Sequence, residues 1–373
     1  MKDFPRMASL SVPPLFRSWV EIDPAALRHN LAFVRKSIGP TPGILAVIKA
    51  DAYGHGDAQV ARWLAPDVEL FGVACLAEAQ RVMASGTGRP ILLLSPCLPS
   101  ERREAVAAGL IVTVSSAAEA LSYAAYGPAK INFKVDTGMG RVGFAGESVA
   151  GELAAIVGRV TLQSISTHLP CADEDEAFTH DELGRFSRMV RDFRRIAPGA
   201  KIHALNSAGI LKYPEHAGDL VRAGLVLYGY SPLPDFQPHL RPALAWKTRV
   251  ILVKELPEGA GVCYGRTFVT RRPTRTAVLA VGYADGFPRQ VSGRGAGVLI
   301  RGQRCPVLGR VTMDQTVVDV SGIGDVQPGE EAVLIGGAGR ESVSAADLAA
   351  QADTIPWDIL TGIKSRVARI FLD

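Results

Sequence analysis

Residues 43–56, Gly-Ile-Leu-Ala-Val-Ile-Lys-Ala-Asp-Ala-Tyr-Gly-His-Gly, join an apolar run to a polar, glycine-bearing stretch through one lysine. Ile44 to Ile48 is unbroken and short, which predicts a fully buried strand. Lys49 stands at its C-terminal end, and a loop is predicted to follow. An ammonium at the rim of an apolar wall is partly desolvated, and desolvation lowers its pKa. A neutral amine is what Schiff-base chemistry needs. The plainer reading is a lysine that snorkels from a strand end into solvent, and the strand alone does not separate the two.

On either side the chain repeats a beat of short strand and longer helix. Asp23-Pro24 predicts an N-cap and first helical residue for a helix over 25–37, with Leu27, Leu31 and Val34 at helical spacing. After the strand at 44–48, apolar runs predict strands at 70–74, 91–94, 111–114, 131–135, 162–166, 202–205 and 220–221. Helical stretches separate them, at 58–64, 76–85, 100–108, 117–124, 147–157, 181–196 and 208–212. Strands alternating with helices imply a parallel sheet. Eight strands close a (β/α)8 TIM-type barrel, whose reactive residues lie at strand C-terminal ends. Lys49 holds such a position.

The rhythm changes near 234–242, and beyond Leu244 strands are predicted at 248–254, 276–281, 297–300, 305–311, 316–319 and 331–335. The expected fold is therefore α/β: a barrel over residues 24–245, then a mainly β domain over 246–373. That second domain is expected to be joined by an N-terminal strand over 19–23. Residues 1–18 read as a loose leader.

The 373 residues are 47% hydrophobic and 21% charged, values of a globular chain with a sizeable core. A net charge of +4 is spread over 41 basic and 37 acidic residues without a long basic block, so nucleic acid is not indicated. Five scattered cysteines without a Cys-x-x-Cys pair argue against a disulfide framework or a zinc or other metal site, and favour a reducing cytoplasm. No run is long enough for a membrane helix, and prolines interrupt the first residues where a signal peptide would need an apolar core.

Further motifs end the other strands. Lys134-Val-Asp-Thr-Gly-Met-Gly-Arg-Val-Gly143 offers glycines for a tight turn beside a ligand, and Arg141 as a planar fork for two oxygen acceptors; a surface arginine is the alternative. His168 by itself reads as a satisfied structural histidine. His203-Ala-Leu-Asn-Ser-Ala-Gly209 and Val221-Arg-Ala-Gly-Leu-Val-Leu-Tyr-Gly229 follow strands seven and eight, the loops with which barrels commonly bind phosphate. Ser207 offers a hydroxyl there, and Gly224 and Leu225 offer backbone N–H groups.

Ala46-Val-Ile-Lys-Ala-Asp-Ala-Tyr-Gly-His-Gly56 resembles the cofactor-lysine motif of the alanine racemases, which use pyridoxal 5'-phosphate. Matches continue in order over roughly residues 19–370. The resemblance implies that Lys49 carries the cofactor and is one catalytic base, serving the D-enantiomer. Tyr264, in Cys263-Tyr-Gly-Arg-Thr-Phe268, is implied as the other, serving the L-enantiomer. It further implies phosphate contact by Tyr53 and a neighbouring role for Asn206. Arg141 is implied between the cofactor's phenolic oxygen and the substrate carboxylate. Lys134 matches a lysine often carbamylated in the family. His168 is implied in the hydrogen-bond network near Tyr264, although Leu169 and Pro170 depart from the pattern after it.

Arg222 is implied opposite the pyridine nitrogen. An arginine can only donate, so that nitrogen stays an unprotonated acceptor and the electron sink is weakened, which argues against a barrel decarboxylase. Met313 is implied to bind the substrate carboxylate through its N–H, and Tyr283 to flank the substrate channel. The family shares its sites across a head-to-tail homodimer, with Tyr264 and Met313 supplied by the partner, and makes D-alanine for peptidoglycan. Phe371 stands where a tyrosine that touches the phosphate and narrows the gate is expected, which keeps a broad-specificity or serine racemase as an alternative. A non-catalytic pyridoxal-phosphate carrier is an alternative of another class, disfavoured by the β-rich half and Tyr264.

Overall fold

The computed structural model describes residues 16–373, so most of the leader expected over residues 1–18 lies outside the described residues. Strand β1 is Ser18–Ile22. Eight strands then form one parallel sheet: β2 (Gly43–Val47), β3 (Leu70–Val73), β4 (Ile91–Leu93), β5 (Ile111–Val114), β6 (Lys130–Lys134), β7 (Thr161–Ser166), β8 (Lys201–His203) and β9 (Leu220–Ala223). Their order is β8-β7-β6-β5-β4-β3-β2-β9. Gly43 pairs with Leu220 where β2 meets β9. The remaining seam, between β8 and β9, is held by two backbone hydrogen bonds, Asp219 N–H to Ile202 O and Arg222 N–H to Leu205 O, both 2.9 Å. The sheet thus closes into a near-barrel.

Strands β2, β3, β4, β5 and β9 are buried along their whole length. That is why they read as continuous apolar runs rather than alternating ones. Helices Asp57–Leu64, Leu76–Ala84, Arg102–Ala107, Ala117–Ala124, Ala150–Ile156, Glu176–Ile196 and Ser207–Lys212 fall between them. The sixth starts five residues before the expected 181, because Asp175 caps it by accepting the Phe178 N–H at 2.9 Å.

The stretch after Lys49 differs from expectation. Lys49–Gly54 is a helical turn of left-handed sense, with φ of +53°, +55°, +52° and +55° at Ala50, Asp51, Ala52 and Tyr53. Left-handed winding costs an L-residue about 1–2 kcal/mol, so four non-glycine residues store about 4–8 kcal/mol. Such strain persists only where the surroundings over-determine it. Here Ala52 N–H donates to Ile48 O and Gly56 N–H to Asp51 O, both at 2.9 Å, while Asp51 Oδ1 accepts the Asp57 N–H at 3.0 Å.

Residues 27–52 and 56–240 form one compact unit. The other comprises 241–373 with residues 53–55 and the described part of 1–26, so residues 24–26 and 241–245, expected in the barrel, go with the β-rich unit. It is built on a sheet ordered β18-β17-β14-β15-β16-β13-β10-β1-β19. Its further strands are β10 (Leu244–Leu256), β13 (Thr274–Leu279), β14 (Gly297–Ile300), β15 (Gln303–Leu308), β16 (Thr316–Asp319), β17 (Glu331–Ala338), β18 (Glu341–Val343) and β19 (Ala368–Phe371), while β11 (Gly261–Val262) and β12 (Phe268–Val269) make a separate hairpin. Strand β1 lies between β10, antiparallel with Ser18 opposite Thr248, and β19, parallel with Trp19 opposite Ala368. Buried Trp246 packs edge-on against Phe287, centroids 6.1 Å apart. Two helices that the sequence reading passed over, Ala345–Ala352 and Pro356–Thr361, complete it. No helix among the described residues is long and apolar enough to cross a membrane.

Candidate active site

Lys49 follows β2 at the mouth of the barrel and is half-buried. Burial first, then the positive charges of Arg141 and Arg222, hold its pKa below the usual lysine value, while Glu78 acts in the opposite sense. Glu78 was not singled out in the sequence. It sits in helix Leu76–Ala84 and accepts the Ala50 N–H at 2.8 Å and the Ala74 N–H at 2.7 Å, fixing the backbone beside Lys49. Nothing in its local pattern distinguishes it from an ordinary acid in a first helical turn.

Arg222, on β9, is almost fully buried. Nη1 contacts His203 Nδ1 and His203 O, both at 2.9 Å; Nη2 contacts Thr167 O at 2.8 Å, Ala204 O at 2.6 Å and His168 Nδ1 at 3.2 Å. Because a guanidinium only donates, both imidazoles accept at Nδ1 and carry their proton on Nε2. Burial, reinforced by Arg222, drives both histidine pKa values well below the usual range, so both rings are neutral. Arg222 is itself pushed down to about 10 by burial and stays cationic at neutral pH. His203 is thus part of the arrangement, and its Nε2 is buried without a hydrogen-bond partner among the described residues.

The loop after β6 carries Lys134 and Arg141. Asp136 shapes it: Oδ1 accepts the Gly138 and Gly140 N–H groups at 2.9 and 3.1 Å, and Oδ2 accepts the Arg141 N–H at 3.1 Å. Gly143 is required, since a Cβ there would stand 2.6 Å from Asp136 N at a φ of +135°. Burial, then Arg222 and Arg141, push Lys134 well below the usual lysine pKa, against Asp136. A neutral lysine amine is the form that can take up carbon dioxide.

Lys49, Lys134, Arg141, His168 and Arg222 therefore share one electrostatic neighbourhood. Four of these are cationic side-chain types, faced by the carboxylates of Glu78 and Asp136. Such a set calls for anionic ligands. On the same barrel unit, Ser207 Oγ accepts the Gly224 and Val226 N–H groups, each at 3.3 Å, with Leu225 between them in sequence. Asn206 spans to Leu169 O at 2.9 Å and caps the next helix through Gly209 N–H at 3.0 Å. This donor set, a hydroxyl with consecutive backbone amides, fits a phosphate.

The other expected residues lie in the β-rich unit or its associated segment. Tyr53 is buried, and burial holds its phenol protonated well above the usual range. Tyr264 sits at the tip of the β11–β12 hairpin and is 71% exposed. Cys263 before it has φ +59° and ψ −167°, a strained conformation costing about 1–3 kcal/mol. Met313 is 54% exposed. It neighbours Tyr283: Ala284 N–H donates to Met313 O at 3.0 Å and Tyr283 N–H to Thr312 O at 3.1 Å. Gly282 allows this approach, because a Cβ there would meet Thr312 O at 2.2 Å. Phe371 lies on edge strand β19, opposite Ile22 and half-exposed.

A desolvated lysine ending a barrel strand near Arg141 and Arg222, on the same unit as a hydroxyl with backbone amides, suits an enzyme of amine chemistry acting on small anionic molecules. Family comparison narrows this. The alanine racemase N-terminal domain profile matches residues 22–232 and the C-terminal domain profile residues 243–371. The alanine racemase of Methylacidiphilum infernorum is 40% identical over 97% of this chain and 94% of its own length. That of Halothermothrix orenii is 39% identical over 94% and 96%. Among solved structures, alanine racemase from Streptomyces lavendulae superposes with a TM-score of 0.89 at 36% identity, covering 97% of this chain and 98% of its own. The Bacillus anthracis enzyme with bound L-Ala-P gives 0.88 at 30%, covering 97% and 96%. The chain belongs to the alanine racemase family.

Proposed function

We propose that this protein interconverts L-alanine and D-alanine in the cytoplasm with pyridoxal 5'-phosphate as cofactor, supplying D-alanine for peptidoglycan. The observation that carries the reading is Lys49, half-buried and depressed in pKa among Arg141, Arg222 and Glu78. Lys49 would hold the cofactor covalently. Tyr53, Ser207, Gly224 and Leu225 would hold its phosphate, with Asn206 and His168 alongside. When bound, the cofactor supplies an electron sink that acidifies the substrate α-carbon.

The chain's own residues do the rest. Arg222, fixed by five contacts and able only to donate, would face the ring nitrogen of a bound cofactor as a donor and leave that nitrogen unprotonated. Arg141 orients the substrate carboxylate, helped by the Met313 N–H. Lys49 Nζ moves a proton on one face and Tyr264 Oη on the other. His168, held at Nδ1 by Arg222, would lie beside the Tyr264 phenol. Lys134 as a carbamate would be an anion between Arg222 and Arg141. Tyr283 flanks the channel. Tyr264 and Met313, strongly exposed in one chain, would reach the site of a second copy in a homodimer.

The test is D-alanine formation from L-alanine by yellow holoenzyme, followed by borohydride reduction and peptide mapping. Pyridoxal fixed on Lys49 is expected; its recovery on another lysine overturns the assignment. Serine turned over faster than alanine would favour the broader racemase, and bound cofactor without turnover the carrier.

A further inference from the structure

We propose that Glu182 is a positioning residue for the Arg141 loop and acts through the hydroxyl pair Thr137 and Thr167. Glu182 lies in helix Glu176–Ile196 and is wholly buried. Its Oε1 accepts from Thr137 Oγ1 at 3.3 Å, and Thr137 Oγ1 lies 2.7 Å from Thr167 Oγ1. A Cβ added at Gly138 would stand 2.8 Å from Glu182 Oε1 and 2.8 Å from the Phe178 ring. The turn that presents Arg141 therefore rests directly on these two helix residues. At the other end of the chain of hydroxyls, the Thr167 carbonyl accepts from Arg222 at 2.8 Å, and His168 is the next residue. The Thr137–Thr167 bond thus ties the Arg141 loop to the stretch that holds Arg222.

A hydroxyl has one proton, so Glu182 sets the direction of this chain. Ionised, it can only accept, and Thr137 must spend its proton on it. Protonated, it can donate to Thr137, which frees the Thr137 proton for Thr167. The charged groups facing Glu182 are Arg185 and Asp181 from its own helix and Asp136 from the loop, with the Cys171 thiol also in range. Arg185 leans away, its guanidinium 5.7 Å from the Phe178 ring and its Nη2 3.6 Å from Asp181 Oδ2. Glu182 Oε2 is buried without a hydrogen-bond partner among the described residues. Burial pushes this carboxyl up to about 7, so its proton is lost across the neutral range. In the ionised form Thr167 donates to Thr137 and Thr137 to Glu182, so both bonds persist with reversed polarity while the buried charge keeps Oε2 unmatched, and the hold on the Arg141 loop changes above that pH.

The proposal takes Arg141 as the ligand of the substrate carboxylate, and the test separates the two ideas. Holoenzyme carrying Glu182→Leu, Glu182→Gln, Thr137→Val or Arg141→Lys is compared with wild type by amide hydrogen exchange over residues 136–143 and by L-alanine kinetics from pH 6 to 8.5. Glu182→Leu and Thr137→Val should speed exchange in the loop and raise KM roughly 2- to 10-fold, the equivalent of one hydrogen bond, with kcat little changed. Glu182→Gln should restore the wild-type KM at pH 6 and abolish the change in KM that wild type shows between pH 6 and 8. Unchanged loop exchange in both Thr137→Val and Glu182→Leu would overturn the proposal, as would a Glu182→Gln profile that still tracks wild type. Thr137→Val preserves shape and carries the test if the leucine variant does not fold. Faster loop exchange with an unchanged KM in Arg141→Lys would uphold the positioning and reject the role of Arg141.

Discussion

At the level of single residues, Arg222 concentrates the most consequence. Its five contacts satisfy three carbonyls and two imidazoles that have left water. Arg222→Lys keeps the charge but loses the fork, and an ammonium offers at most three donors. A loss of about 3 kcal/mol in stability is expected from the donors left unmatched, measured by denaturant unfolding with cofactor loading held constant. The histidines beside it make a second prediction. Their folded pKa values lie below the unfolded value near 6.5, so the unfolded chain binds more protons at acid pH. Their contribution is fully present above that value and is lost as pH falls through and below it. A Tm series from pH 8 to 5 should decline on the acid side, and a flat series would show that one or both rings are charged in the folded protein. Lys49 was legible in the sequence because an apolar run ended on it. His203 was not, because a histidine inside a buried strand end looks the same whether it packs or pairs.

Among the elements, the left-handed turn Lys49–Gly54 is the least legible. Ala-Asp-Ala-Tyr carries no mark of positive φ, and only the flanking glycines hint at a turn. The conformation is imposed by surroundings rather than by propensity. Ala50 is the exposed member of the turn. Ala50→Gly removes about 1–2 kcal/mol of steric cost, partly offset by the roughly 0.5–1 kcal/mol of extra entropy that glycine loses on folding. The substitution should be neutral to mildly stabilising by thermal unfolding. A destabilisation of about 1 kcal/mol, the usual cost in a right-handed helix, would contradict the handedness. The barrel strands, by contrast, were readable within a residue or two. Full burial makes most of their sequences uninterrupted, whereas the helices over 345–361 are short, eight and six residues, and follow a run of strands.

For the whole molecule, the sequence reading reached the order of barrel and β-rich unit but not the division of residues between them, because Tyr53–His55 go with the distant C-terminal half through contacts that no local pattern records. The exposure of Tyr264 and Met313 suits a site completed by a second copy. Lys49→Ala and Tyr264→Phe chains, each inactive alone, should regain part of the activity when subunits are exchanged, since a hybrid dimer then holds one intact site. Confirmed exchange with no recovery would mean that each site is built from one chain.

The placement of β1 has a consequence in time. Its neighbours are β10 and β19, so Trp19 finds Lys247 on one side and Ala368 on the other. During synthesis β10 can cover one hydrogen-bonding edge of β1 once residues 244–256 have emerged, but the other edge stays open until residues 368–371 have left the ribosome. Pairings this distant in sequence are slow to close, and an open strand edge is a template for association with other chains. Nascent chains stalled before Ala368 should therefore depend on chaperones that shield the open edge of β1, and they should be more prone to aggregation than chains stalled after Phe371.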